Sequence, residues 1–206
     1  MLDFELIPAP QKGSPHLFVM LHGLGDSSAG YHWLPGVLDL PQFSYLLVNA
    51  PDASNGGFSW FDYPANMGPG ILRSRHLLSE LLDRIPSMGF PHQHTTLAGF
   101  SQGCLMTLDV GLRYPHKLAG LVGISGWVFE LNQLLLELSP VADRQRILAT
   151  HGLYDPLIPL PPVREQMARL KSAGLKVTWK EFPKAHTIHG EEEISLIRQF
   201  LLQGMT

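Results

Sequence analysis

The sequence predicts an α/β architecture, a mainly parallel sheet with helices on both faces. Three observations predict it. Short apolar runs recur along the chain, each bounded by Gly, Pro or polar residues. Most lack the apolar–polar alternation of half-buried strands, so they read as strands buried on both faces. Between them lie stretches with apolar residues at helical spacing, and strands alternating with helices imply a parallel sheet.

In chain order, FELIP (4–8) offers a short edge strand and HLFVML (16–21) the first strong strand. YLLVNA (45–50) is the next run, and residues 51–70 then form a long irregular segment rich in Gly, Pro and Asn. That segment carries Phe58, Trp60, Phe61 and Tyr63, which either cover core or line a binding groove. Residues 71–85 place Ile71, Leu72, Leu77, Leu78, Leu81, Leu82 and Ile85 at helical spacing. TTLAGF (95–100) is a strand leading into a helical pattern from Gln102, and LAGLVGIS (118–125), RILATHG (146–152) and VTWKEF (177–182) follow as further buried strands. The last helix spans 191–203, with Glu191, Glu192 and Glu193 in the first turn, where the helix dipole favours negative charge, and Gly204 to stop it.

The 206 residues suit one domain, 1–206, without linker or repeat. Hydrophobic residues make up 45% and charged residues 16%, which excludes a disordered chain. Net charge is −3 with no basic run, which argues against a nucleic-acid partner. The N-terminus lacks the basic start and apolar stretch of a signal peptide, and no apolar run is long enough to span a bilayer. The single cysteine, Cys104, suits a reducing compartment, so a soluble, cytoplasmic protein is expected.

GFSQG (99–103) is a G-x-S-x-G motif between a strand and a helical pattern. A serine on a sharp strand-to-helix turn needs small neighbours, and Gly99 and Gly103 supply them. The turn presents Ser101 at the carboxyl end of the sheet, beside a helix N-terminus that favours a developing oxyanion. LHGLGD (21–26) is a second Gly-rich turn after a strand, so the backbone N–H groups of Leu24 and Gln102 are the expected oxyanion donors. It lacks the Lys-Ser or Lys-Thr pair of a phosphate-binding loop.

The order Ser, acid, His then selects partners. Of seven acids between Ser101 and His186, only Asp155, in HGLYDPLIP, follows a buried strand on the catalytic edge, in a loop stiffened by Pro156 and Pro159. Only two histidines follow it, His186 and His189. His186 falls in the middle of the loop after the last strand and is preferred as the base, while His189 stands at the helix start. The other histidines form no metal-ligand pattern, and His92 and His94 read as exposed loop residues. No metal or organic cofactor is required.

LHGLGD, SWFD (59–62), GFSQG, HGLYDPLIP and FPKAH, in this order, resemble the carboxylesterase, lysophospholipase and acyl-protein thioesterase family of α/β-hydrolases. The resemblance covers nearly the whole chain. It implies an α/β-hydrolase fold with no large cap domain, acting on small-molecule esters or thioesters, lipids or acylated proteins. It supports Ser101, Asp155 and His186 as the triad and Leu24 and Gln102 as oxyanion donors, and it places Trp60 and Leu157 beside an acyl groove. Cys104 and Ala185 stand where the family commonly has glycine, and Cys104 reads as core. Two other readings differ in substrate or class: a hydrolase of lactones or small polar esters, and a binding protein on the same fold.

Overall fold

A computed structural model describes residues 1–188 and 190–205. Its main sheet contains β1 (Phe4–Ile7), β2 (His16–Leu21), β3 (Phe43–Val48), β6 (Thr95–Phe100), β7 (Gly120–Ile124), β8 (Arg146–Gly152) and β9 (Lys176–Phe182), in the order β1-β3-β2-β6-β7-β8-β9. Every pairing is parallel except β1 with β3. Between β3 and β6, β4 (Asp52–Ser54) and β5 (Gly57–Ser59) form a separate antiparallel hairpin. The six α-helices among the described residues are α1 (Leu34–Leu38), α2 (Met67–Arg84), α3 (Gln102–Arg113), α4 (Leu131–Leu136), α5 (Leu160–Ser172) and α6 (Glu191–Gln203).

The sheet is the middle of three layers. One face carries a core built with Leu78 and Leu81 of α2, Leu105 and Leu108 of α3, and Val163 and Met167 of α5. The other face is covered by Leu34 and Leu38 of α1 and by Ile194, Ile197 and Phe200 of α6. Strands β2, β3, β6 and β7 therefore have almost no exposed residue, as their unbroken apolar runs require. Each leucine or phenylalanine so buried contributes about 1.5–3 kcal/mol.

Two elements differ from the sequence expectation. VTWKEF, read as buried on both faces, belongs to edge strand β9, where Val177 and Phe182 are buried while Lys176 and Thr178 are exposed. The segment 51–70 is not wholly irregular. It contains the β4–β5 hairpin, whose turn places Asn55 and Gly56 at φ 49° and 85°. Both values fit a type I′ turn, for which Asn-Gly is the preferred pair.

The strand order reverses between β2 and β6, which are neighbours although β3 follows β2 in the chain. In open α/β sheets, ligands bind at the carboxyl ends of the strands beside such a switch point. The turns after β2 and β6 carry Leu24 and Ser101, and the loops after β8 and β9 carry Asp155 and His186. All four expected elements thus open on one edge.

Candidate active site

Ser101 sits between β6 and α3 with φ 56° and ψ −115°, a conformation disfavoured for a residue with a side chain. The turn is tight because its neighbours lack Cβ atoms. A Cβ on Gly99 would stand 2.1 Å from the Gly103 carbonyl oxygen, and one on Gly103 would stand 2.1 Å from that of Leu21. The G-x-S-x-G spacing is therefore a packing requirement between β2, β6 and α3. Such a site holds the strain of the serine because the surrounding contacts over-determine it.

The Ser101 Oγ lies 2.9 Å from His186 Nε2, and His186 Nδ1 lies 2.7 Å from Asp155 Oδ2. The Asp155 side chain is fully buried, yet its other oxygen accepts the N–H groups of Leu157 and Ile158, each at 2.9 Å. Burial alone would raise its pKa. The Ile158 N–H, His186 and the Leu157 N–H outweigh that and hold the carboxyl below its ordinary value. An ionised carboxylate can only accept, so Nδ1–H is the donor, and Nε2 keeps a lone pair for the serine proton. His189, the alternative base, lies outside the described residues.

Leu24 and Gln102 flank the serine and line the same cleft. Neither backbone N–H has a partner among the described residues. The Gln102 side chain has a second role that the motif did not reveal. Its Oε1 accepts the Trp60 N–H at 3.0 Å and its Nε2 donates to the Phe61 carbonyl at 3.0 Å, tying the segment after β5 to the serine turn. The Leu24 turn is held by His22, whose Nδ1–H donates to the Gly23 carbonyl at 2.6 Å while Nε2 accepts the Ala50 N–H at 3.0 Å.

The cleft above Ser101 has a volume of about 400 Å³ and walls formed by Leu24, Tyr63, Phe100, Trp127, Leu157 and Ile158. Leu157, one of the two residues proposed beside an acyl groove, lines this cleft. Trp60 does not. It is fully buried, its indole N–H donates to the His22 carbonyl at 2.9 Å, and its ring packs against the His22 ring at 5.6 Å. A large apolar ring whose one polar atom is satisfied inside belongs in the core. The four aromatics of 51–70 are thus divided: Trp60 and Phe61 are core, Phe58 packs against it, and Tyr63 reaches the cleft, where it meets Trp127 at 5.8 Å. Trp127 carried no sequence signal for this site beyond its position shortly after a buried strand.

The remaining histidines are not all exposed. His92 and His94 are half-buried, with His92 stacked on His116 and His94 edge-on to His16. Cys104 packs beneath Gly123 and Gly126, and burial pushes its thiol up to about 12, so it is protonated and inert at neutral pH. Among the described residues, no group of three or more His, Cys, Asp or Glu side chains could hold a metal ion.

The model of the phospholipase/carboxylesterase family matches residues 2–203. The chain belongs to that family. A relative in this family, acyl-protein thioesterase 1 of Schizosaccharomyces pombe, is 34% identical over 168 residues, 75% of each chain. A protein of Oryza sativa subsp. japonica, named as a probable carboxylesterase, is 30% identical over 217 residues, covering 95% of this chain and 82% of its own. Among solved structures, esterase PE8 superposes with a TM-score of 0.89 at 24% identity, covering 98% of both chains, a likeness of fold. This phospholipase/carboxylesterase-family chain is therefore a hydrolase of the kind that cleaves esters or thioesters, on an α/β-hydrolase fold. No helix among its described residues is long and apolar enough to cross a membrane.

Proposed function

We propose that the protein is a serine hydrolase of carboxylic esters or thioesters with apolar acyl groups. The observation that carries this reading is the continuous hydrogen-bonded chain Ser101–His186–Asp155 at the floor of an apolar cleft. Ser101 attacks the carbonyl carbon while His186 Nε2 takes its proton, giving a tetrahedral intermediate. His186 then gives that proton to the alcohol or thiol as its bond to the carbonyl carbon breaks, which leaves the acyl-enzyme. In the second half it activates a water that releases the acid and regenerates Ser101. Asp155 fixes the imidazole tautomer and stabilises the imidazolium without itself taking the proton.

The carbonyl oxygen gains negative charge at each step. The unpartnered N–H groups of Leu24 and Gln102, at the cleft beside Ser101, are the donors placed to receive it. Losing one such donor typically costs about 2.7–4 kcal/mol of transition-state stabilisation. The acyl group lies along Tyr63, Trp127, Leu157 and Ile158, and these residues also border an adjoining apolar groove over Met67, Pro162 and Val163. That continuity favours apolar acyl groups over small polar esters. A lipid or an acylated protein would present such a group, and no nucleic acid is expected as partner.

The test is labelling with a fluorophosphonate and turnover of esters of graded acyl length. Ser101 should be the modified residue, and S101A should abolish both labelling and turnover. Full esterase activity in S101A, or activity that falls steadily as the acyl chain lengthens from acetyl, would overturn the nucleophile or the acyl preference respectively.

A further inference from the structure

The loop that carries His186 is short. It leaves β9 at Phe182 and reaches the base through Pro183, Lys184 and Ala185. Nothing in this sequence marks Lys184 as special, yet its side chain points inward. The side chain is 1% exposed and that of Glu193, in the first turn of α6, is 0%. The Lys184 ammonium donates to both carboxylate oxygens, at 2.7 and 2.8 Å. Burying an ammonium and a carboxylate costs several kcal/mol per ion, so a pair of this kind is weak as a source of stability. Its directional bonds do fix geometry.

The backbone of the same residue faces the acid. The Lys184 carbonyl accepts the N–H of Tyr154, the residue before Asp155, at 3.1 Å. Its own N–H donates to the Phe182 carbonyl at 2.8 Å, and that carbonyl also accepts the Leu153 N–H at 2.9 Å. Gly152 lies directly beneath, where a Cβ would stand 2.4 Å from the Lys184 carbonyl oxygen. Lys184 is thus a node where the base loop meets the acid loop through the backbone and α6 through the side chain. It lines neither cleft beside Ser101.

We propose that Lys184 is a positioning residue for the hydrolytic reaction: its bidentate pair with Glu193 holds the loop of His186 in register with Asp155 and Ser101. This rests on the reading of His186 as the base. Positional errors on the scale of 1 Å can cost about a hundredfold in rate, so the pair acts on kcat and leaves substrate binding alone.

The experiment compares wild type with K184M, K184M/E193M and H186A, using p-nitrophenyl butyrate and steady-state kinetics well below each melting temperature. K184M should lose about tenfold or more in kcat, with KM unchanged. In K184M/E193M two apolar side chains of similar length replace the ions, which should recover the melting temperature. Its kcat should stay low, because apolar contact is not directional. Wild-type kcat in either variant overturns the proposal, as does a rise in KM alone. Should K184M fail to fold, the double variant carries the test by itself. H186A separates the two readings: activity in H186A removes the base assignment, whereas an inactive H186A beside a fully active K184M removes only the role of Lys184.

Discussion

Asp155 remains an acceptor in a buried site because two backbone N–H groups and an imidazole face it. Replacing it with Asn keeps the shape but offers His186 an amide, which favours the wrong tautomer. D155N should lower kcat by about 10⁴-fold with little change in KM, read from steady-state kinetics on a short-chain ester. Trp60 gives a prediction of the opposite kind. W60F deletes the N–H that satisfies the His22 carbonyl and should cost about 1–3 kcal/mol in urea unfolding. It should leave the preference among acyl lengths unchanged, since the ring does not line the cleft. Altered chain-length selectivity in W60F would return Trp60 to the acyl site. The nucleophile, acid and base candidates were legible because order and local turn chemistry mark them. The burial of Trp60 was not, because a tryptophan in SWFD reads the same on a groove wall as beneath it.

At the level of elements, the serine turn works because β2, β6 and α3 approach at two glycines. G103A should be destabilising by roughly 3 kcal/mol, the upper range for overpacking, since the new methyl meets the backbone of Leu21 and His22. Thermal melting followed by circular dichroism measures this. Gly152 closes β8 under the loop of His186, so G152A should displace the Lys184 and Ala185 carbonyls and lower kcat even at temperatures well below its melting temperature. The strands and the last helix were legible from periodicity, and the helix 191–203 matches α6 to the residue. The β4–β5 hairpin was hidden by its three-residue strands, although Asn55-Gly56 was the available signal. Edge strand β9 carried its half-exposure in the alternation of Lys176, Thr178 and Lys180 with Val177, a pattern outweighed by the aromatic content of VTWKEF.

At the scale of the whole molecule, three histidines among the described residues resist protonation. Burial lowers the pKa of His16, with His94 adding to it, and burial also lowers His22 and His151 against the opposing carbonyls of Gly23 and Ile158. In the unfolded chain each returns to an ordinary value of 6.5. Below that pH the unfolded chain binds protons that the folded chain refuses. The stability these groups contribute is therefore present above pH 6.5 and is lost as pH falls from there through the depressed folded values. Urea midpoints should fall between about pH 7 and pH 5, and H16Q should flatten that slope; an unchanged slope would assign the loss to other groups. The sequence by itself determined the α/β class and the order of its strands along the chain. It also marked the serine, acid and base candidates, because periodicity and turn chemistry act over a few residues. Only the tertiary structure decided which aromatics face the cleft, and that Gln102 ties the segment after β5 to the serine turn. It alone joined Lys184 to Glu193. Those outcomes depend on which loops the sheet brings together at its carboxyl edge, and contacts between distant segments leave no local pattern to read.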